Sequence, residues 1–231
     1  MRIVTDQVRI ARGARLGKIG AFGGFGFLVV GMIVSLAFKQ LNSLWIALGC
    51  LLLGMVVATV GIANMNRWVR EPRADQALEQ GLKGFDDHYR LYNYVLPAPH
   101  VLLAPTGITV LTALGQDGVI RYEEGKFRRN WSLGRLLRFM ADEGLGRPFA
   151  EGDDQVRALK QFLESHGAGE GGDIQNVLVF YNPRAQLSVT DPPRPVVVPK
   201  GLKKALRKQA EGVLLPAEYR RLQEVLDSVA T

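Results

Sequence analysis

The sequence predicts a hairpin of two transmembrane helices followed by an α/β (α+β) domain in which helices flank a mixed sheet. Three observations carry that expectation. Two apolar runs, Ile19–Phe38 and Leu44–Met65, contain no charged residue. Only the segment Lys39–Ser43 separates them. Beyond residue 67 the pattern changes to short apolar runs alternating with segments of helical periodicity.

Each run is long enough to span a bilayer, since about 20 helical residues cover a hydrocarbon core of about 30 Å. Lipid offers no partners for backbone N–H and C=O groups, so each run forms a helix. The short connector makes the two helices antiparallel. Arg2, Arg9, Arg12, Arg15 and Lys18 precede the first run against Asp6 alone, and Arg67, Arg70 and Arg73 follow the second against Glu71. The connector carries only Lys39. Flanks rich in Lys and Arg stay cytoplasmic, so both termini are expected in the cytosol. Arg12, Arg15, Lys18, Arg67 and Arg70 are expected to meet anionic lipid headgroups there. A cleaved signal peptide is a poor rival for the first run, which is long, lacks a small-x-small end and is followed at once by a second span. The organisation expected is a basic cytoplasmic segment over 1–18, the hairpin over 19–66, and a cytoplasmic domain over 67–231. That domain has its core at about 75–210 and a closing helix at 216–229.

The 231 residues carry a net charge of +7, but residues 1–67 hold 7 Lys/Arg against 1 Asp/Glu, leaving 22 and 21 for the remainder. The excess is therefore juxtamembrane and the soluble domain is nearly neutral. Its basic residues concentrate at Lys200, Lys203, Lys204, Arg207 and Lys208, read as a solvated helix face. Lys203 and Lys204 are also candidates for lipid or nucleic-acid contact. The lone cysteine, Cys50, lies within the second span and reads as a small apolar packing residue. Gly20 with Gly24, Gly31 with Ser35, and Gly54 with Ala58 have small-xxx-small spacing, which lets helices approach closely. Packing within the hairpin and self-association into an oligomer both remain open on this pattern.

In the soluble part, Ala74–Phe85 places Ala74, Ala77, Leu78, Leu82 and Phe85 on one helical face. Tyr89–Leu96 is extended. His100–Ala104 and Ile108–Leu114 are strands joined by the turn Pro105-Thr-Gly107. Gly118–Tyr122 and Lys126–Trp131 flank Glu123-Glu-Gly125 as a second hairpin. Leu133–Met140 and Asp154–Glu164 are helical in pattern, and Gly167–Gly172 is a flexible connector. Asn176–Tyr181 is a central strand buried on both faces, and Pro195–Val198 is a further strand. Leu202–Ala210 and Pro216–Val229 close the chain as helices.

Within this order, Pro99–Leu114 reads Pro-His-Val-Leu-Leu-Ala-Pro-Thr-Gly-Ile-Thr-Val-Leu-Thr-Ala-Leu. His100, the apolar triplet Val101–Leu103, Pro105 and Gly107 match, without a gap, a segment of known nucleases. Gly118-Val-Ile, Trp131, the Pro148-Phe…Gln155…Leu159…Leu163 helix, Val177–Phe180 and Val196–Leu202 continue the match. From Asp75 to about Arg207 the chain resembles the nuclease-related domain (NERD) family, a branch of the restriction-endonuclease-like fold. The resemblance implies an active-site pattern of Asp-His, three apolar residues, Gly-Pro-x-Gly, four largely apolar residues and Glu-x-Lys. Here the Asp, Glu and Lys positions are Pro99, Thr112 and Leu114. Such nucleases need carboxylates for Mg²⁺ and a cation for the attacking water or the developing phosphate charge. Pro, Thr and Leu supply none of these, so a pseudonuclease is expected, with no cofactor.

Other residues do not rebuild that chemistry in sequence. Asp86-Asp-His88 reads as a solvated helix end, Glu123-Glu124 as a hairpin turn, and Asp153-Asp154 as a cap for the next helix. Asp75 and His100 are candidates to line the former cleft, Asp75 also serving the helix N-terminal dipole. Two functions follow. One is a non-catalytic membrane-anchored scaffold, accessory or binding module, with a protein partner or its own copies. The other is a membrane-tethered nucleic-acid-binding protein or nuclease relative with a displaced site, supported by Arg121, Lys126, Arg128 and Arg129 on the second hairpin. The near-neutral soluble domain weakens the second, because backbone binding relies on several Lys/Arg–phosphate contacts. Two spans without an intramembrane charge argue against a transporter.

Overall fold

A computed structural model describes residues 1–37, 41–129, 144–169, 173–209 and 213–229. Lys39, Asn130, Trp131 and the helix expected over Leu133–Met140 lie outside the described residues, as do 170–172 of the Gly-rich connector. The chain divides into two units, a helical hairpin over Gln7–Arg73 and a mixed α+β unit that contains Met1–Asp6 and the described residues from Ala74 onward.

The hairpin consists of α1 (Gln7–Ala37) and α2 (Leu41–Trp68), both long and apolar enough to cross a membrane. Helix α1 begins at Gln7, so most of the basic segment continues the span as helix. The seam follows from residue size. Buried Ile10, Gly17, Gly24 and Gly31 recur every seven residues on α1, and Ala47, Gly54, Gly61 and Trp68 do so on α2. That spacing keeps one stripe of each helix facing the other. A Cβ on Gly20 would lie 2.9 Å from Gly61 Cα, and one on Gly54 2.9 Å from the Gly24 carbonyl oxygen. At Gly24 and Gly61 it would overlap backbone of Ala58 and Ala21. Gly20, Gly24, Gly54 and Ala58 are thus occupied within the hairpin.

The second unit is built on a six-stranded sheet of order β1-β2-β3-β4-β7-β9, comprising β1 (Arg2–Thr5), β2 (Arg90–Asn93), β3 (His100–Ala104), β4 (Gly107–Leu114), β7 (Gln175–Phe180) and β9 (Val196–Val197). β1–β2, β4–β7 and β7–β9 are parallel, whereas β2–β3 and β3–β4 are antiparallel. A smaller sheet has order β6-β5-β8, with β5 (Gly118–Glu123), β6 (Lys126–Arg129) and β8 (Ala185–Val189). Helices α3 (Ala74–Leu82) and α5 (Leu202–Gln209) cover one face of the large sheet, where Leu78, Leu82, Leu91, Leu102, Leu111 and Leu202 cluster. Helices α4 (Pro148–Ser165) and α6 (Pro216–Ser228) cover the other, with Tyr92, Val101, Val110, Leu159, Leu163, Leu222 and Leu226. Strand β7 is buried over its last five residues between parallel neighbours, as its apolar run requires.

Four differences from the sequence reading have physical causes. Residues 2–5 are a strand of the mixed α+β unit rather than part of a separate basic arm. Four residues with one outward-facing Ile carry no periodic signal, and only β2 reveals their role. Helix α3 stops at Leu82, because Gly84 adopts a φ of 96° and Lys203 donates to the Lys83 carbonyl at the helix end. Helix α4 starts at Pro148, whose missing N–H is harmless in the first turn, so Asp153 and Asp154 lie inside the helix and do not cap it. They pair instead with Arg194 and Arg157. Strand β8 was not expected, since its residues alternate between half-buried and exposed without strong apolar character. The second hairpin turns as expected, with Glu124 at φ 51° and Gly125 at φ 77°.

Candidate functional site

The segment Pro99–Leu114 folds as the β3–turn–β4 hairpin. Val101 faces Val110 in its register, Pro99 lies in the bend before β3, and Thr112 follows Val110 on the same face of β4. Leu114 is the next residue of β4 on that same face. Thr112 and Leu114 therefore share the sheet face beneath α4.

What fills that place is a chain of neutral hydrogen bonds and an apolar cluster. Thr112 is fully buried. Its hydroxyl accepts from Asn176 Nδ2 at 2.9 Å and donates to Gln155 Oε1 at 2.9 Å. Gln155 Nε2 donates onward to Glu151 at 3.3 Å, at the surface of α4. Asn176 Nδ2 also donates to the Val110 carbonyl at 3.1 Å. Its Oδ1 is buried without a hydrogen-bond partner among the described residues, against Gly152, where a Cβ would overlap it. Leu114 is buried with Ile120, Leu178 and Phe180, and Phe127 and Phe149 pack on that cluster. The Phe127 and Phe149 rings lie 5.1 Å apart and each also meets Tyr122. A shallow groove of about 540 Å³ lies outside this layer, lined by Pro97, Arg147, Glu151, Asp154 and Gln155, with Ala150 and Ala158.

Mg²⁺ seeks several hard oxygen ligands. Pro99 and Leu114 offer none, and the Thr112 oxygen already serves as both donor and acceptor to neighbouring side chains. The Pro99, Thr112 and Leu114 side chains do not fit the ion. Among the described residues, no group of three or more His, Cys, Asp and Glu could hold a metal.

Asp75 and His100 lie on the opposite face of the sheet from Thr112, so the expectation of one shared cleft is corrected. His100 is buried, with Nδ1 2.9 Å from Asn93 Oδ1 and its ring 4.7 Å from that of Tyr94. Asn93 Nδ2 donates to Thr5 Oγ1 at 3.1 Å and to Glu79 Oε1 at 3.4 Å. Asp75 is buried in the first turn of α3, on that same side of the sheet. This group ties β1 and α3 to β2. Of the acidic triplet, Asp86 accepts from His88, whereas Asp87 bonds the Met1 ammonium at 3.0 Å. That ammonium holds the Asp87 carboxyl below the usual carboxylate range.

The basic candidates separate. Arg129 is buried against Asp117 and Lys203 closes α3 over the Phe85 ring. Arg121, Lys126, Arg128 and Lys204 are exposed. Arg12, Arg15, Lys18, Arg67 and Arg70 are exposed on the hairpin unit, Arg67 lying 5.0 Å from the Trp68 ring centre.

A second polar group escaped sequence reading because its members are remote in the chain. Asp227 of α6 accepts from Arg90 Nη1 at 2.5 Å and from the Tyr92 hydroxyl at 2.7 Å. Burial first, and then Asp227, pushes the Tyr92 hydroxyl well above the ordinary tyrosine value.

No family model, curated protein or solved structure matches this chain. The Asn176–Thr112–Gln155 chain had one faint signal, a polar residue opening an otherwise apolar strand run. Nothing in the sequence marked Gln155 as its partner.

Proposed function

We propose that this protein is a membrane-anchored, non-catalytic binding module with a NERD-like, restriction-endonuclease-like domain at the cytoplasmic membrane face. The occupancy of the hydrolytic positions carries the reading. Leu114 sits in a closed aromatic cluster, and Thr112 is held at both ends by neutral amides. The Thr112 and Leu114 side chains themselves supply no acid, no base and no cation with which to move a proton or offset phosphate charge.

The anchored arrangement is supported by a feature of the sheet. Residues before α1 pair with residues after α2 through β1 and β2. Both ends of the hairpin then lie on one side of any bilayer the two helices cross, and the basic flanks make that side cytoplasmic. Gln155 and Glu151 carry the buried hydrogen-bond chain to the groove beside Pro97. This makes the groove the natural place for a partner to meet the domain.

The test is a cleavage assay on the full chain in detergent micelles, with Mg²⁺ or Mn²⁺ and single- or double-stranded DNA. No turnover is expected. Turnover abolished by Glu151→Gln or Asp154→Asn would overturn the reading and place a displaced centre on α4.

A further inference from the structure

The smaller sheet turns Ile120, Tyr122 and Phe127 inward and presents its other face to solvent. On that open face Arg121 stands directly opposite Arg128 on one side and Ser188 on the other. One line across three strands therefore reads Arg128, Arg121, Ser188. Directly paired antiparallel residues have Cα atoms about 4.5–5.5 Å apart, and like charges so placed repel. Glu123 does not relieve them directly, because it stands opposite Lys126. Elsewhere in the same unit Arg90, Arg129 and Arg184 each have a carboxylate partner. Arg121 and Arg128 have none among the described residues. The fold thus keeps two guanidinium groups side by side and exposed, without a carboxylate partner among the described residues, on a β surface bordered by a hydroxyl.

We propose that this face docks on an anionic membrane surface, with Arg121 and Arg128 binding the phosphates of lipid headgroups. Guanidinium forks match phosphate oxygens in geometry and charge, and Ser188 adds a hydroxyl donor in line with them. The inference rests on the membrane-anchored reading above. A domain tethered by two spans stays within reach of the bilayer, so headgroup phosphate is present at high effective concentration. Docking would order the soluble domain against the membrane and leave the groove beside Pro97 available to a partner.

The test uses the full chain in nanodiscs of phosphatidylcholine alone or of phosphatidylcholine with phosphatidylglycerol. Acetylation of Lys126, on the same face, is followed by mass spectrometry. Slower acetylation is expected on the anionic discs, with the difference erased by high salt. Arg121→Gln and Arg128→Gln should each shrink the docked population about fivefold. The pair Arg121→Lys and Arg128→Lys, which retains charge, should keep most of the protection. Equal acetylation rates on both discs would overturn the proposal, as would protection indifferent to the Gln variants. Protection conferred only by an added oligonucleotide on neutral discs would also overturn it, in favour of nucleic acid. Alkaline carbonate washing of proteoliposomes separates the two levels. A chain that washes off refutes the anchoring and the docking with it, whereas a retained chain with unprotected Lys126 refutes the docking alone.

Discussion

At the scale of single residues, Thr112 is the centre of the account. It is fully buried and carries a hydrogen bond on each side. Thr112→Val keeps the shape but removes the donor to Gln155 Oε1 and one of the two acceptors of Asn176 Nδ2. Leaving buried polar groups unpaired costs about 1–3 kcal/mol. A lower melting temperature in detergent is expected, and combining Thr112→Val with Asn176→Val should cost less than the two single losses added. Tyr92 gives a second test. Its hydroxyl is buried and donates to Asp227, so the folded state holds it neutral above the ordinary value of about 10. The unfolded chain releases that proton first as pH rises. The stabilising contribution is therefore complete below about pH 10 and is lost as pH climbs toward the folded value. Melting temperature should fall more steeply above pH 10 in the native protein than in Tyr92→Phe. The sequence singles out Pro99, Thr112 and Leu114 because their spacing along one stretch of chain is local. It could not show what surrounds Thr112, since Asn176 and Gln155 reach it only through the folded sheet.

At the scale of elements, periodicity did most of the work where it was strong. The two long apolar helices, the Pro105–Gly107 turn, the Glu124-Gly125 turn and the buried strand β7 all follow from local composition. Short or weakly patterned pieces did not. Strand β1 has only four residues, and β8 lacks a continuous apolar face, so each becomes a strand only through its neighbour. The small residues of the spans were legible as a packing stripe, but their partner was not. The structure spends Gly24 and Gly61 on close approach within the hairpin, while Gly23 faces open space. Gly61→Leu should force α1 and α2 apart, and Gly23→Leu should leave them unchanged. Double electron–electron resonance between spin labels on the two helices reads the separation directly. Overpacking a close seam costs about 1–3 kcal/mol, so Gly61→Leu should also lower the melting temperature in detergent.

At the scale of the whole molecule, the parallel pairing of β1 with β2 joins Met1–Asp6, before α1, and the described residues from Ala74 onward, after α2, in one unit. In a Cys50→Ala background, Ser43→Cys in the connector should react with a membrane-impermeant maleimide in intact cells. Ser228→Cys, at the end of α6, should react only after permeabilisation. The most direct test of the proposed non-catalytic reading is whether the site around Thr112 can hold a divalent ion. Electron paramagnetic resonance of Mn²⁺ titrated into the full chain in phosphatidylcholine nanodiscs provides it. The account predicts the spectrum of free aqueous Mn²⁺ throughout. A bound-Mn²⁺ signal that disappears with Glu151→Gln or Asp154→Asn would contradict it.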